Sequence, residues 1–201
     1  RQICCVGWCK NKARGCSLFK RAHHQRVARI LDALNAQLLT EAACYFGGGT
    51  AIVLLLNEYR ESVDVDLLCA SHEGYRTLRN AVNENSLGPL LTQAMPLARA
   101  VRADRYGIRT FLMVDDVPIK FEIVREDRIP LQAQTHPGIP ILTLSQVDMF
   151  AEKLLANTDR WADRSTTSRD IIDLAMMAHH WGPIPPSAWL KVEDAYGASA
   201  R

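Results

Sequence analysis

The run Ser62–Leu68, SVDVDLL, sets two aspartates into an otherwise apolar stretch. Side chains alternate across a strand, so Asp64 and Asp66 are expected on one face, with Val63, Val65 and Leu67 turned to the core. Two carboxylates held roughly 6–7 Å apart repel by about 2–3 kcal/mol at an effective dielectric near 20. Packing alone does not repay that cost. A divalent cation does, because Mg²⁺ takes carboxylate oxygens together with substrate phosphates. The competing reading is a strand with one solvated polar face, which a bare DxD would favour.

The chain around this run is that of an ordinary globular protein. Its 201 residues suit one domain, or a compact domain with a helical appendage. A net charge of +2 is too small to steer a polyanion by itself. No apolar run approaches the roughly 20 residues of a membrane span, so no membrane partner is expected. Cys4, Cys5, Cys9 and Cys16 crowd the start without paired zinc-ligand spacing, and residues 1–16 read as a Cys-rich extension. Cys44 and Cys69 lie in apolar runs and read as reduced core residues, which makes the cytoplasm the expected compartment.

Helical spacing of Val27, Ile30, Leu31, Leu34 and Leu38 predicts a helix between Leu18 and Leu38. ACYFGGGT is a short strand broken by three glycines, and TAIVLLLNEY a buried helix leading to the DxD strand. EGYRTLRNAV is again helical, and three antiparallel strands joined by hairpins are expected between Leu97 and Val124. After the Pro-rich THPGIPIL come two helices, SQVDMFAEKLLANTDR and SRDIIDLAMMAHH, then GPIPP and a short helix in SAWLKVEDAYG. The expectation is an α+β chain: a mixed sheet with flanking helices over 17–145, then a helical segment over 146–201.

Two features strengthen the metal reading. In IKFEIV, Lys120 and Glu122 share a face, and Glu122 becomes a third carboxylate if this strand neighbours the first. A two-metal phosphoryl-transfer site needs about such a set, although a plain Lys120–Glu122 ion pair is the simpler reading of that strand alone. Upstream, Gly47, Gly48 and Gly49 join a strand to a helix start, where free N–H groups can hold an anion. Thr50 is placed to cap that helix or to bond a phosphate. This is neither a Walker loop nor a dinucleotide fingerprint.

FGGGTAIVLLLNEYRESVDVDLL resembles the first motif of nucleotidyltransferases of the AbiEii/AbiGii toxin family, through Gly48, Gly49, Thr50, Ala51, Arg60, Ser62, Asp64, Asp66 and Leu67. KLLANTDRWADRSTTSRDIIDLA resembles that family's later signature, through Lys153, Ala156, Arg160, Arg169, Asp170, Asp173 and Leu174. The third acidic position is commonly Asp, and here it is Glu122. The resemblance implies a polymerase-beta-type nucleotidyltransferase fold and transfer of a nucleotidyl group from an NTP. It also implies a toxin of a toxin–antitoxin or phage-exclusion system, with a cognate antitoxin as partner. Some relatives act on tRNA acceptor ends.

The helical segment supplies further candidates. Lys153, Asn157 and Arg160 line one helix face, suited to triphosphate oxygens and leaving pyrophosphate, or simply solvated. Asp170 is placed either to close a capping box with Thr167 or to act as a general base, and Asp173 stands beside it. Arg60 is expected to pair with Asp64 or touch substrate, and Ser62 to bond the backbone where the strand begins. Arg99, Arg102, Arg105 and Arg109 form a candidate basic rim for RNA. The His23–His24 and His179–His180 pairs lack metal-ligand spacing and read as surface or helix-end residues. In sum, the expected activity is Mg²⁺-dependent transfer of NMP from an NTP to an acceptor hydroxyl on RNA or protein. Asp64, Asp66 and Glu122 would hold metal. Lys153 and Asp170 would assist catalysis, and Gly48, Gly49, Thr50, Ser62, Arg60 and Arg160 would bind the nucleotide. Alternatives are a small-molecule nucleotidyltransferase and a silent nucleotide-binding module.

Overall fold

A computed structural model describes residues 19–163 and 168–197. The Cys-rich extension and Thr167 lie outside them. The first predicted helix is two: α1, Ala22–Ala33, and α2, Ala36–Glu41. The break falls at Leu34, which bridges Leu91, and at Asn35, whose side chain accepts from the Leu38 N–H and restarts the helix. Helical spacing continues across the break because both pieces bury their apolar faces in one core.

Next come β1, Cys44–Gly47, α3, Gly48–Leu55, β2, Val65–Cys69, and α4, His72–Ala81. The three expected antiparallel strands follow as β3, Leu97–Ala103, β4, Gly107–Val114, and β5, Val117–Arg125. Two strands of two residues each, β6, Ala133–Gln134, and β7, Thr143–Leu144, flank the Pro-rich stretch, too short to show any periodicity. The segment ends in α5, Gln146–Arg160, α6, Arg169–Trp181, and α7, Pro186–Tyr196. The strands form one mixed sheet ordered β3-β4-β5-β2-β1-β7-β6. β2 runs parallel to β5, and β1 parallel to β7. Among the described residues no helix is long and apolar enough to cross a membrane.

A single apolar core joins the sheet to the helical segment: Phe46, Ile52, Leu67 and Phe121 lie in one cluster with Phe150, Leu155, Met177 and Val192. Cys44 and Cys69 face each other across β1 and β2 as buried free thiols. α3 differs from its expected limits. It begins on the glycines and stops at Leu55, because Asn57 and Glu58 both turn left-handed, at φ 59° and 57°.

That turn serves a buried network. The Glu58 carboxylate accepts the backbone N–H groups of Lys20 and Arg21, at 2.7 and 3.0 Å, and the Nδ1–H of His24 at 2.7 Å. Burial alone would raise the Glu58 pKa, and these bonds hold it below the usual carboxylate value. His24 is wholly buried, contrary to its expected surface position. Its Nε2 accepts the Ser62 N–H at 3.1 Å, which puts the proton on Nδ1. His23 is the half-buried member of the pair, and His179 and His180 lie in the last turn of α6. Thus α1 is tied through one imidazole to the segment leading into β2. Replacing His24 by Ala removes one donor from buried Glu58 and orphans the Ser62 N–H and should cost on the order of 2–4 kcal/mol in urea unfolding. A loss within 0.5 kcal/mol, the ordinary surface range, would show that the network does not hold this segment.

Candidate active site

Sequence alternation put Asp64 inside the strand, whereas β2 begins at Val65 and Asp64 immediately precedes it. Val63 is 42% exposed rather than a core anchor, and its carbonyl accepts from His23. Asp66 remains on the strand, half-buried between the buried Val65 and Leu67. Neither Asp64 nor Asp66 makes a hydrogen bond or ion pair with the described residues. Burial first, then the adjacent charge of Asp64, pushes the Asp66 carboxyl up to about 6.

The glycine turn fits directly onto this pair. β1 and β2 register Gly47 opposite Asp66. Gly48, at φ +70°, opens α3, and a Cβ there would lie 2.7 Å from Asp66 Oδ2. Any other residue at 48 would carry both backbone strain and a clash with the carboxylate. A Cβ on Gly49 would lie 2.7 Å from an Arg60 guanidinium nitrogen and 3.5 Å from Lys153 Nζ. Gly48, Gly49, Asp66, Lys153 and Arg160 therefore line one cleft, with Ile52, Leu68, Leu144 and Met149 forming its apolar wall. Thr50 does not cap α3 or open onto the cleft. It is 1% exposed and donates to Ser62 Oγ at 2.8 Å, so both hydroxyls brace the approach to Asp64.

Beneath the cleft lies an ion cluster joining the segment after α3 to α5 and α6. Arg60 holds Asp173, rather than Asp64, through two bonds of 2.8 Å, and Tyr59 donates to the same carboxylate. Lys153 Nζ stands 2.8 Å from Asp173 and 2.9 Å from Asp170. Arg160 holds Asp170 through bonds of 2.6 and 2.9 Å. Burial would raise the Asp170 pKa, but Arg160 and Lys153 hold it at about 2. Asp170 thereby ties Lys153 and Arg160 to the start of α6. It is not a helix cap, since Ser168 occupies that position without a side-chain bond. Three cations face two carboxylates in this cluster, leaving one positive charge in surplus below the cleft.

Glu122 is directly opposite Asp66 in the β2–β5 register, as expected. Its carboxylate, however, is taken by Arg109 at 2.6 Å and Lys120 at 2.5 Å. Among the described residues no three His, Cys, Asp or Glu side chains are grouped as a metal centre. The donor set that remains suits a divalent cation shared with a phosphate ligand: two adjoining, otherwise unpartnered carboxylates, one kept from ionising freely by its neighbours. His24 is the site-supporting residue that sequence reasoning missed. Its place in an amphipathic helix beside a second histidine gave no sign of Glu58 or Ser62.

The Asp66 shift has a defined sign. Its folded pKa is raised above the unfolded value near 3.8, so ionised Asp66 destabilises the metal-free protein, fully above pH 6 and not at all below about pH 4. In the presence of a chelator, Asp66→Asn should raise stability at pH 7 by on the order of 2 kcal/mol and change little at pH 4. Equal effects at both pH values would refute the electrostatic strain.

Residues 29–200 match the protein family described as nucleotidyl transferase AbiEii toxin, type IV TA system. No curated protein matches the chain. Among solved structures, the chain is similar to an antigenic nucleotidyltransferase-like protein from Paracoccidioides brasiliensis, at 17% identity and a TM-score of 0.45, covering 87% of this chain and 89% of that one. It is also similar to a protein assigned as a nucleotidyltransferase from Thermotoga maritima, at 16% identity and a TM-score of 0.37, covering 76% and 94%. With the family match spanning the glycine turn, the carboxylate pair and the Lys153 helix, the chain belongs to the AbiEii family of nucleotidyl transferase toxins, and its chemistry is nucleotidyl transfer.

Proposed function

We propose that this protein transfers NMP from an NTP to an acceptor hydroxyl with Mg²⁺ bound at Asp64 and Asp66, and acts as the toxin of a toxin–antitoxin pair. The observation that carries the reading is the pair itself. Among the described residues its carboxylates stay unpaired beside the glycine turn, whereas Glu58, Glu122, Asp170 and Asp173 are each tied to a cation, a histidine or backbone N–H groups.

In this reading the triphosphate lies along the start of α3, where Gly48 and Gly49 allow close backbone approach and the helix terminus favours anions. Lys153 stands beside Gly49, held in place by Asp170 and Asp173. Arg160, with a half-exposed side chain, is free on one side to meet phosphate oxygens. The bound metal supplies Lewis-acid stabilisation of the phosphoryl oxygens. The acceptor hydroxyl gives up its proton to solvent and its oxygen bonds to the α-phosphorus as the bond to the β-phosphate bridge breaks, and the surplus cation of the cluster offsets charge growing on pyrophosphate. Thr50 and Ser62 keep the segment before β2 in register, so their part is to position Asp64 rather than touch nucleotide.

Incubation with each α-³²P-labelled NTP and a cell extract should label an acceptor. Asp64→Ala and Asp66→Ala should each abolish the labelling, as should chelation. Undiminished labelling by either variant would overturn the reading, and label confined to low-molecular-weight products would replace the macromolecular acceptor with a small molecule.

A further inference from the structure

Glu152, one residue before Lys153 on α5, also lines the cleft. The two side chains diverge. Lys153 turns to Asp170 and Asp173 on α6, and Glu152 to Arg128 beyond β5. The cleft therefore has a cationic flank and a carboxyl flank, and the apolar side chains of Leu68, Leu144 and Met149 complete its lining.

Glu152 is short of donors. Its side chain is 13% exposed, and its Oε1 is buried without a hydrogen-bond partner among the described residues. Arg128 approaches the other oxygen at 3.5 Å, but the same nitrogen holds Glu126 at 2.6 Å. Glu126 is itself an acceptor and has no proton to give, and Asp148, four residues before Glu152, is held by Lys191. Burial first, then the Glu126 charge, pushes the Glu152 carboxyl up to about 8. Buried polar atoms without partners are few in native proteins, and one in the wall of a binding cleft marks a place for a ligand group.

We propose that Glu152 receives a ribose hydroxyl of the NTP and so selects ribonucleotides over their deoxy counterparts. The proposal rests on the transfer reading above and deepens it to one contact of the same cleft. The cation on the Glu152 flank, Arg128, is already held by Glu126, so phosphate fits the Lys153 and Arg160 flank instead. Arg160 lies eight residues beyond Glu152, about 12 Å along α5, so the phosphates run toward Arg160 and the nucleoside toward Glu152. Asp66 and Leu68 share a face of β2, and the sugar that follows the α-phosphate away from Asp66 meets Leu68. A hydroxyl both donates and accepts, so it satisfies Oε1 whether or not the carboxyl is ionised. A base edge with a fixed donor pattern lacks that tolerance.

The test is equilibrium dialysis of each α-³²P-labelled NTP, and of its 2′-deoxy and 3′-deoxy forms, against the whole chain in Mg²⁺. The unsubstituted chain should bind an NTP roughly tenfold more tightly than the deoxy form lacking the contacted hydroxyl. Glu152→Met keeps the side-chain length without the carboxyl. It should bring the ratio within about twofold through weaker binding of the NTP alone, while Glu152→Gln should keep most of the preference. Equal binding of an NTP and both deoxy forms by the unsubstituted chain would overturn the proposal without any variant, as would an undiminished ratio in a folded Glu152→Met chain. A Glu152→Met chain that alters preference among bases but not between sugars would also overturn it and assign the carboxyl to the base. Sugar-dependent binding with no labelled acceptor in a cell extract would uphold the Glu152 contact and overturn the transfer reading. Labelling without any sugar preference would do the reverse.

Discussion

The structure is organised around leaving Asp64 and Asp66 without partners among the described residues. A half-buried carboxylate next to another carboxylate attracts any lysine or arginine within reach, and this site has several nearby. Each is committed elsewhere: Lys120 and Arg109 to Glu122, Lys153 and Arg160 to Asp170, Arg60 and Lys153 to Asp173. The pair therefore keeps its negative potential, and Asp66 is held in electrostatic strain by burial and by Asp64. Such strain has no use in packing and is relieved by a divalent cation.

The cluster of Arg60, Lys153, Arg160, Asp170 and Asp173 is better understood as a positioning device than as a source of stability. Buried ion pairs give back much of their Coulomb attraction as desolvation. What they supply here is geometry. Asp173, wholly buried, receives Arg60 from beyond α3 and Lys153 from α5, so the helical segment cannot shift against the glycine turn without uncovering a charge. The cleft is thereby formed between the sheet and a helix about 90 residues further along the chain.

Much of the site was legible because its chemistry conflicts with ordinary packing. Two acids in an apolar strand and three glycines before an apolar helix have few structural uses, and both proved to adjoin in the fold. The Lys153 helix was legible from its spacing. Pairings were not. Glu122 stands beside Asp66 as its alternation suggested, yet Arg109 reaches it from a neighbouring strand. Arg60 holds Asp173, 113 positions away, rather than nearby Asp64.

By itself, then, the sequence determined the mixed sheet, the hairpin strands, the helical segment and the identity of the carboxylate pair, because periodicity and local turn chemistry act over a few residues. Only the tertiary structure decided which charges neutralise one another and that His24 is buried between Glu58 and Ser62. Those outcomes depend on which long side chain arrives at which carboxylate once the sheet is assembled, and no local pattern encodes the distance between them.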